Sequence, residues 1–161
     1  MTESKIHALA ERLVGEFAAK GKTISTAESC TGGLIAKSIT DIPGSSAVLA
    51  GGCVSYTEEV KHRVLGVDEE ILRTKTAVSE ECAKAMAEGA RRLFGTDVAL
   101  SATGYAGPGG GTEKDPVGTV YLGLATKDGT TVRRIFVPDA TRAEVREAAT
   151  ATALEMAMGN E

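Results

Sequence analysis

Histidine is scarce in this chain, which holds only His7 and His62. A Ser-His-Asp hydrolase would have His62, beside Lys61, as its one plausible imidazole, since His7 falls in the first helical stretch. Cysteine is sparse and odd in number, and Cys30, Cys53 and Cys82 show no Cys-x-x-Cys spacing. That argues against a disulfide framework and a zinc site and fits a reducing cytoplasm. Basic residues are outnumbered, with 18 Lys and Arg against 22 Asp and Glu and a net charge of -4. A nucleic-acid partner is disfavoured, because such a domain carries a basic stripe to neutralise phosphates. No apolar run approaches the roughly 20 residues that span a bilayer, so neither a membrane partner nor a secretion signal is expected. Repeats, linkers and low-complexity segments are also missing.

What remains is a chain of 161 residues, 42% hydrophobic and 25% charged, long enough to bury a core as one domain over residues 1–161. Ile6, Leu9, Ala10, Leu13, Val14 and Phe17 recur at helical spacing until Gly21. Thr23 to Ala27 reads as a strand, and Leu34 to Ile39 as a helix stopped by Pro43-Gly44. Ala47 to Tyr56 reads as a buried strand in which Gly51-Gly52 marks a bulge or a close backbone approach. Short helices follow over Glu58 to Leu65 and Asp68 to Arg73. A long Ala-rich helix opens at Ser79 and runs to Phe94, and Asp97 to Ala102 is apolar enough for a central strand. Gly118 to Ala125 and Thr131 to Val137, joined across Lys127-Asp128-Gly129-Thr130, predict an antiparallel hairpin. Thr141 caps a closing helix to about Met158, whose alanines allow close packing and are compatible with a homo-oligomer. The expected fold class is α/β, a layered α/β/α domain with a mixed sheet containing this C-terminal hairpin.

The chemistry gathers in three places, each just past the end of an expected strand, where parallel strands would collect them along one rim. Ala27-Glu28-Ser29-Cys30-Thr31-Gly32-Gly33 sets a hydroxyl and a thiol at a strand-to-helix junction, where unpaired N–H groups and the helix dipole favour an anion. Ser29 is either an N-cap or a nucleophile. Thr31 can cap equally well, which leaves Ser29 free, and Cys30 is the alternative nucleophile. Tyr56 and Lys61 supply a candidate base. Lys61 is either a solvated helix lysine or an inward-facing amine, and the two residues share a face only if Tyr56 ends a strand and Lys61 lies on the next helix. The loop Thr103-Gly104-Tyr105-Ala106-Gly107-Pro108-Gly109-Gly110-Gly111 is a surface turn or a cradle for an anion; it matches neither the Walker nor the dinucleotide fingerprint. Arg142 and Arg146, one turn apart, are surface charges or a fork for phosphate or carboxylate.

Four blocks together carry a resemblance: Ala27 to Gly33, Ser55-Tyr56 followed by Lys61, Thr103 to Pro108, and Pro116-Val117-Gly118-Thr119-Val120-Tyr121. In order and spacing, from about Leu9 to the C-terminus, the chain resembles the C-terminal domain of the CinA (competence/damage-inducible protein) family. It is similar to the stand-alone nicotinamide-nucleotide amidases rather than to relatives with an added molybdopterin-binding-like domain. Tyr105 stands where relatives often carry an aliphatic residue, and Lys114-Asp115-Pro116 varies on a more compact Lys-Pro.

The resemblance implies conversion of nicotinamide mononucleotide to nicotinate mononucleotide and ammonia in pyridine-nucleotide salvage, without metal or organic cofactor. Ser29 attacks the amide, and Lys61 is the expected base once burial or a neighbouring cation such as Arg63 makes its amine neutral. Tyr56 relays the proton or orients the serine. The turn Cys30, Thr31, Gly32 and Gly33 contacts the substrate and supplies oxyanion donors, while Thr103, Gly104, Ala106, Gly107 and Arg142 hold the ribose phosphate. Other classes compete with this one: a different small-amide hydrolase, a non-catalytic nucleotide-binding or regulatory module, and an interaction module, for which the acidic balance disfavours direct DNA contact.

Overall fold

A computed structural model describes residues 2–159. Its elements, in chain order, are α1 (Thr2–Lys20), β1 (Ile24–Glu28), α2 (Leu34–Thr40), a short 3-10 turn (Ser45–Ala47), β2 (Leu49–Val54) and α3 (Glu58–Leu65). They continue as α4 (Glu69–Thr74), α5 (Glu80–Phe94), β3 (Val98–Gly104), β4 (Thr119–Thr126), β5 (Gly129–Phe136) and α6 (Arg142–Ala157). The strands form one five-stranded sheet in the order β2-β1-β3-β4-β5. The first three are mutually parallel, and β4 and β5 are antiparallel. The chain is thus an α/β protein with a mixed sheet and the expected C-terminal hairpin.

Helices cover both faces because the strands are apolar on both sides. One layer is α1, α2 and α6, whose Leu13, Phe17, Ile35, Ile39, Val145 and Leu154 close over Ile24, Leu100, Val120 and Leu122. The other layer is α3, α4 and α5, where Leu65, Leu72, Met86 and Ala90 pack against Ala27, Ala99 and Ala125. The alanines of α6 are used inside the chain: Ala149 and Ala153 are fully buried, and α6 lies against α1 and the sheet. Thr141 caps α6 and Glu144 completes a capping box, so the helix start read from sequence is the one observed.

The crossover through α2 runs on one face of the sheet and the crossover through α3, α4 and α5 on the other. This places the carboxyl ends of β1, β2 and β3 at a change of crossover direction, where open α/β sheets build their sites. The strand expected over Ala47 to Tyr56 is shorter, and it is not buried: β2 is an edge strand whose residues alternate between half-buried and exposed. The segment Ser45–Ala47 is a helical turn, and β2 begins only at Leu49. Of the two suggested purposes the glycine pair itself serves the close approach, and the bulge falls beside it, at Ala50. The β1–β2 register shifts between Ile24 and Ser25, just before Gly51, and a Cβ on Gly51 would stand 2.7 Å from the Phe94 ring. In the hairpin, Gly129 already pairs with Thr126, so the turn is Lys127-Asp128 rather than four residues.

Candidate active site

Ser29 follows β1 directly, and its N–H donates to the Ala102 carbonyl of β3 at 2.9 Å, which fixes it to the sheet rather than to a helix. Its hydroxyl is not an N-cap. Lys61 Nζ donates to Ser29 Oγ at 2.9 Å, to the Ser55 carbonyl at 2.7 Å and to the Tyr56 carbonyl at 3.2 Å. The lysine reaches the serine because Tyr56 lies beyond β2 and α3 is capped by Thr57, whose hydroxyl accepts from the Val60 N–H. That start turns the fourth residue of α3 inward, where Lys61 is 1% exposed.

The two carbonyls can only accept, so they hold two N–H groups of the amine and aim its remaining position at Ser29. In the neutral form that third position is a lone pair facing the hydroxyl. Burial pushes the Lys61 pKa down, opposed by the nearby cysteines and by the Glu58 carboxylate. No ion pair engages Lys61 among the described residues. The expectation that Arg63 contributes is corrected: that guanidinium points to solvent and pairs with Glu59 at 3.0 Å.

Thr31 does not cap α2. The residue before that helix is Gly33, at φ 103, and no side chain of the cap residue bonds there. The cap comes instead from Glu28, the last residue of β1, whose carboxylate oxygens accept from the N–H groups of Ile35 and Ala36, each at 2.9 Å. Sequence reasoning passed over Glu28. Because its carboxylate already occupies the start of α2, that end is not vacant for a substrate anion. Gly32 donates its N–H to the Ser29 carbonyl at 3.0 Å, while the Cys30 N–H donates to no carbonyl.

A cavity of about 300 Å³ opens over the serine, lined among others by Ser29, Cys30, Tyr56, Lys61, Thr103, Gly104, Ala106, Gly107 and Arg142. Expected contact residues Thr31, Gly32 and Gly33 do not line it, because the turn carries them behind Cys30; Thr31 is fully buried. Glu58, Ala77 and Val78 join the wall without having been expected there, and Tyr105 and Gly109 of the glycine-rich loop also reach it. Thr103 braces it by donating its hydroxyl to the Ala77 carbonyl at 2.7 Å. A larger cleft of about 580 Å³ between α1, α2 and α6 contains neither Ser29 nor Lys61.

Arg142 donates to the Gly107 carbonyl at 2.8 Å and to the Tyr56 hydroxyl at 3.1 Å, on the cavity wall. It shares no target with Arg146, so the two do not form a fork. Arg146 turns to the carbonyls of Cys30 and Thr31, both at 3.1 Å, and holds the serine turn from outside. Tyr56 is 57% exposed, and its backbone carbonyl, not its hydroxyl, meets Lys61. His62 faces away from the serine, with Nδ1 2.7 Å from the Val67 carbonyl and Nε2 3.1 Å from Glu69. Cys30 is a buried thiol pushed up to about 12 by burial, which leaves it protonated at neutral pH. The described residues hold no group of His, Cys, Asp and Glu suited to a metal ion, and no helix long and apolar enough to cross a membrane.

Comparison with known proteins bears on the whole of this arrangement. The CinA C-terminal domain model matches residues 6–160. A CinA-like protein of Mycobacterium marinum is 45% identical over 153 residues, covering 95% of this chain and 35% of the relative. Another CinA-like protein, from Mycolicibacterium gilvum, is 51% identical over 84% of this chain and 32% of its own length. The chain thus spans about a third of these curated relatives. Among solved structures, the competence/damage inducible protein CihA from Agrobacterium tumefaciens superposes with a TM-score of 0.94 at 44% identity, covering 96% of this chain and 94% of that one. The competence damage-inducible protein A from Klebsiella pneumoniae gives 0.90 at 34%, covering 94% and 93%. With its serine, lysine and glycine-rich loop on one sheet rim, this chain belongs to the CinA C-terminal domain family.

Proposed function

We propose that this protein is a cytoplasmic amidohydrolase that converts nicotinamide mononucleotide to nicotinate mononucleotide and ammonia. The observation that carries the reading is the buried Lys61 amine, 2.9 Å from Ser29 Oγ and without a carboxylate partner among the described residues. A neutral amine so placed takes the hydroxyl proton while Oγ attacks the carboxamide carbon. Cys30 lines the cavity and its N–H donates to no carbonyl, so this N–H would serve the developing oxyanion. Collapse breaks the C–N bond, and the proton held by Lys61 leaves with ammonia. Water then gives one proton to the amine and its oxygen to the acyl carbon; the acyl–Oγ bond breaks, Lys61 returns that proton to Ser29 Oγ, and the acid released gives up its remaining proton to become the carboxylate.

Family membership and the glycine-rich wall support the nucleotide. Arg142 keeps N–H groups beyond those it gives to Gly107 and Tyr56, and these would meet the phosphate, with Thr103, Gly104, Ala106 and Gly107 closing around the ribose. Tyr56 then acts by holding Arg142 as much as by moving a proton. The test is ammonia release from nicotinamide mononucleotide by the purified protein and by Ser29→Ala. Turnover by the former and a loss of at least about a thousandfold in the latter is expected. A folded Ser29→Ala variant with near-normal turnover refutes the mechanism, and an inactive parent refutes the substrate. Arg142→Ala should raise KM strongly for the mononucleotide and scarcely for nicotinamide riboside, which never used the contact. Equal loss on both would remove Arg142 from the phosphate site.

A further inference from the structure

Among the cavity residues with no part in the scheme above, two carry a charged or aromatic side chain, Glu58 and Tyr105. Acidic side chains in the first turn of a helix ordinarily serve the dipole or pair with a cation one turn on. The neighbours of Glu58 do so. Glu59 pairs with Arg63 and Glu70 with Arg73 one turn on, Asp68 caps α4, and Glu69 lies 3.1 Å from His62 Nε2 of the preceding helix. Glu58, an exposed residue at the rim of the cavity, has no hydrogen bond and no ion pair from its carboxylate among the described residues, and it stands close enough to Lys61 to raise that amine's pKa. Lys61 does not neutralise it, since the amine is committed to Ser29, Ser55 and Tyr56.

Tyr105 adds a flat surface to the wall of the same cavity. Its ring is half-buried on the cavity wall and seated on Gly110, where a Cβ would approach the ring edge to 3.2 Å. The bare glycine lets the ring lie in the wall instead of standing out of it. An unpaired carboxylate and the face of a phenol ring both attract a cation, and the ring favours a planar one.

We infer that Glu58 and Tyr105 form a subsite for a positively charged, planar heteroaromatic ring, so that the protein selects carboxamides carried on a cationic ring over the same compounds with a neutral ring. This rests on the amidase reading and adds to it the charge of the ring as a recognised feature. Arg142 would take the anionic end of the ligand, so the cavity matches a molecule with separated charges of both signs. A neutral ring would leave Glu58 shielded from water by the ligand yet without a partner, which weakens binding of that form.

The test measures binding by calorimetry in the Ser29→Ala protein, using nicotinamide mononucleotide and its 1,4-dihydro form, which keeps the carboxamide, ribose and phosphate but carries an uncharged ring. The oxidised form is expected to bind about tenfold tighter or more, and Glu58→Gln or Tyr105→Leu should remove about three- to tenfold of its affinity while leaving the dihydro form nearly unchanged. Tyr105→Phe, which keeps the ring face, should restore the preference. Equal affinity for the two ligands, or equal loss of both in the variants, overturns the inference while leaving the amidase reading intact. Binding of neither ligand refutes the amidase reading itself, and the subsite falls with it.

Discussion

At the residue scale the decisive fact is that an amine, not an imidazole or a thiol, touches the serine. Burial holds the Lys61 pKa below its ordinary value, with the cysteines and Glu58 pulling the other way. A lysine acting as base works only when neutral, so activity should fall as pH drops through that lowered pKa and level off above it. Lys61→Met should abolish this limb together with most of the rate, measured as ammonia release across pH. Glu58→Gln removes a charge that favours the protonated amine, so its limb should move to lower pH; a limb moving upward would contradict the assignment. The neighbouring thiol behaves oppositely. Cys30, pushed up to about 12 by burial, presents no thiolate at neutral pH, and Cys30→Ala should keep substantial turnover. A dead but folded Cys30→Ala would hand the nucleophile's role to sulfur.

At the scale of elements, the site depends on where helices begin and how closely they approach. The Glu28 carboxylate takes two N–H groups of α2, and Arg146 of α6 takes the two carbonyls of the serine turn. These parts were illegible because both are contacts between segments: nothing local distinguishes a capping Glu at the end of a strand from any other, and Arg146 reaches across more than a hundred residues. By contrast, the elements bearing Ser29, Lys61 and Arg142 could be read directly, since each follows an apolar period broken by a turn or cap residue. Thr57 and Thr141 cap where hydroxyl residues before helices usually do. Position 89 shows the limit of local propensity. Exchange of a mid-helix glycine for alanine ordinarily stabilises by about 1 kcal/mol. A Cβ on Gly89 of α5 would collide with the Leu65 carbonyl of α3, backbone that cannot rotate away. Gly89→Ala should therefore lower Tm rather than raise it, and by displacing α3, which carries Lys61, it should reduce kcat more than it changes KM. An increased Tm with unchanged kcat would show that the two helices are free to separate.

For the whole molecule, a site that needs a neutral buried amine sets function against stability, and the conflict has a measurable signature. The unfolded chain holds the Lys61 proton up to the ordinary lysine pKa of about 10.4, whereas the folded chain releases it at lower pH. Between the folded value and about 10.4 the unfolded state binds more protons, so this lysine makes unfolding free energy rise with pH; below the folded value its full penalty remains. Other groups act in the reverse sense in alkali. The Cys30 and Cys82 thiols, raised by burial to about 12 and about 11, and the Tyr121 hydroxyl, raised by burial and by donation to Asp115, lose stability as pH climbs past their unfolded values. A single melting profile mixes these slopes, and because the Lys61 charge also lowers the pKa of Cys30, Cys53 and Cys82, the lysine is isolated by comparing Lys61→Met with its parent in a background where all three cysteines are alanine. Methionine keeps the length of the side chain and removes the ionisation, although it leaves the carbonyls of Ser55 and Tyr56 without their donor. Whatever that fixed loss, the stability of Lys61→Met relative to the parent should be greatest below the folded pKa of Lys61 and decline as pH rises from there toward about 10.4. Denaturant unfolding at several pH values measures it. A difference that does not change with pH would mean that Lys61 titrates alike in both states, and the neutral base at Ser29 would then have no physical basis in this fold.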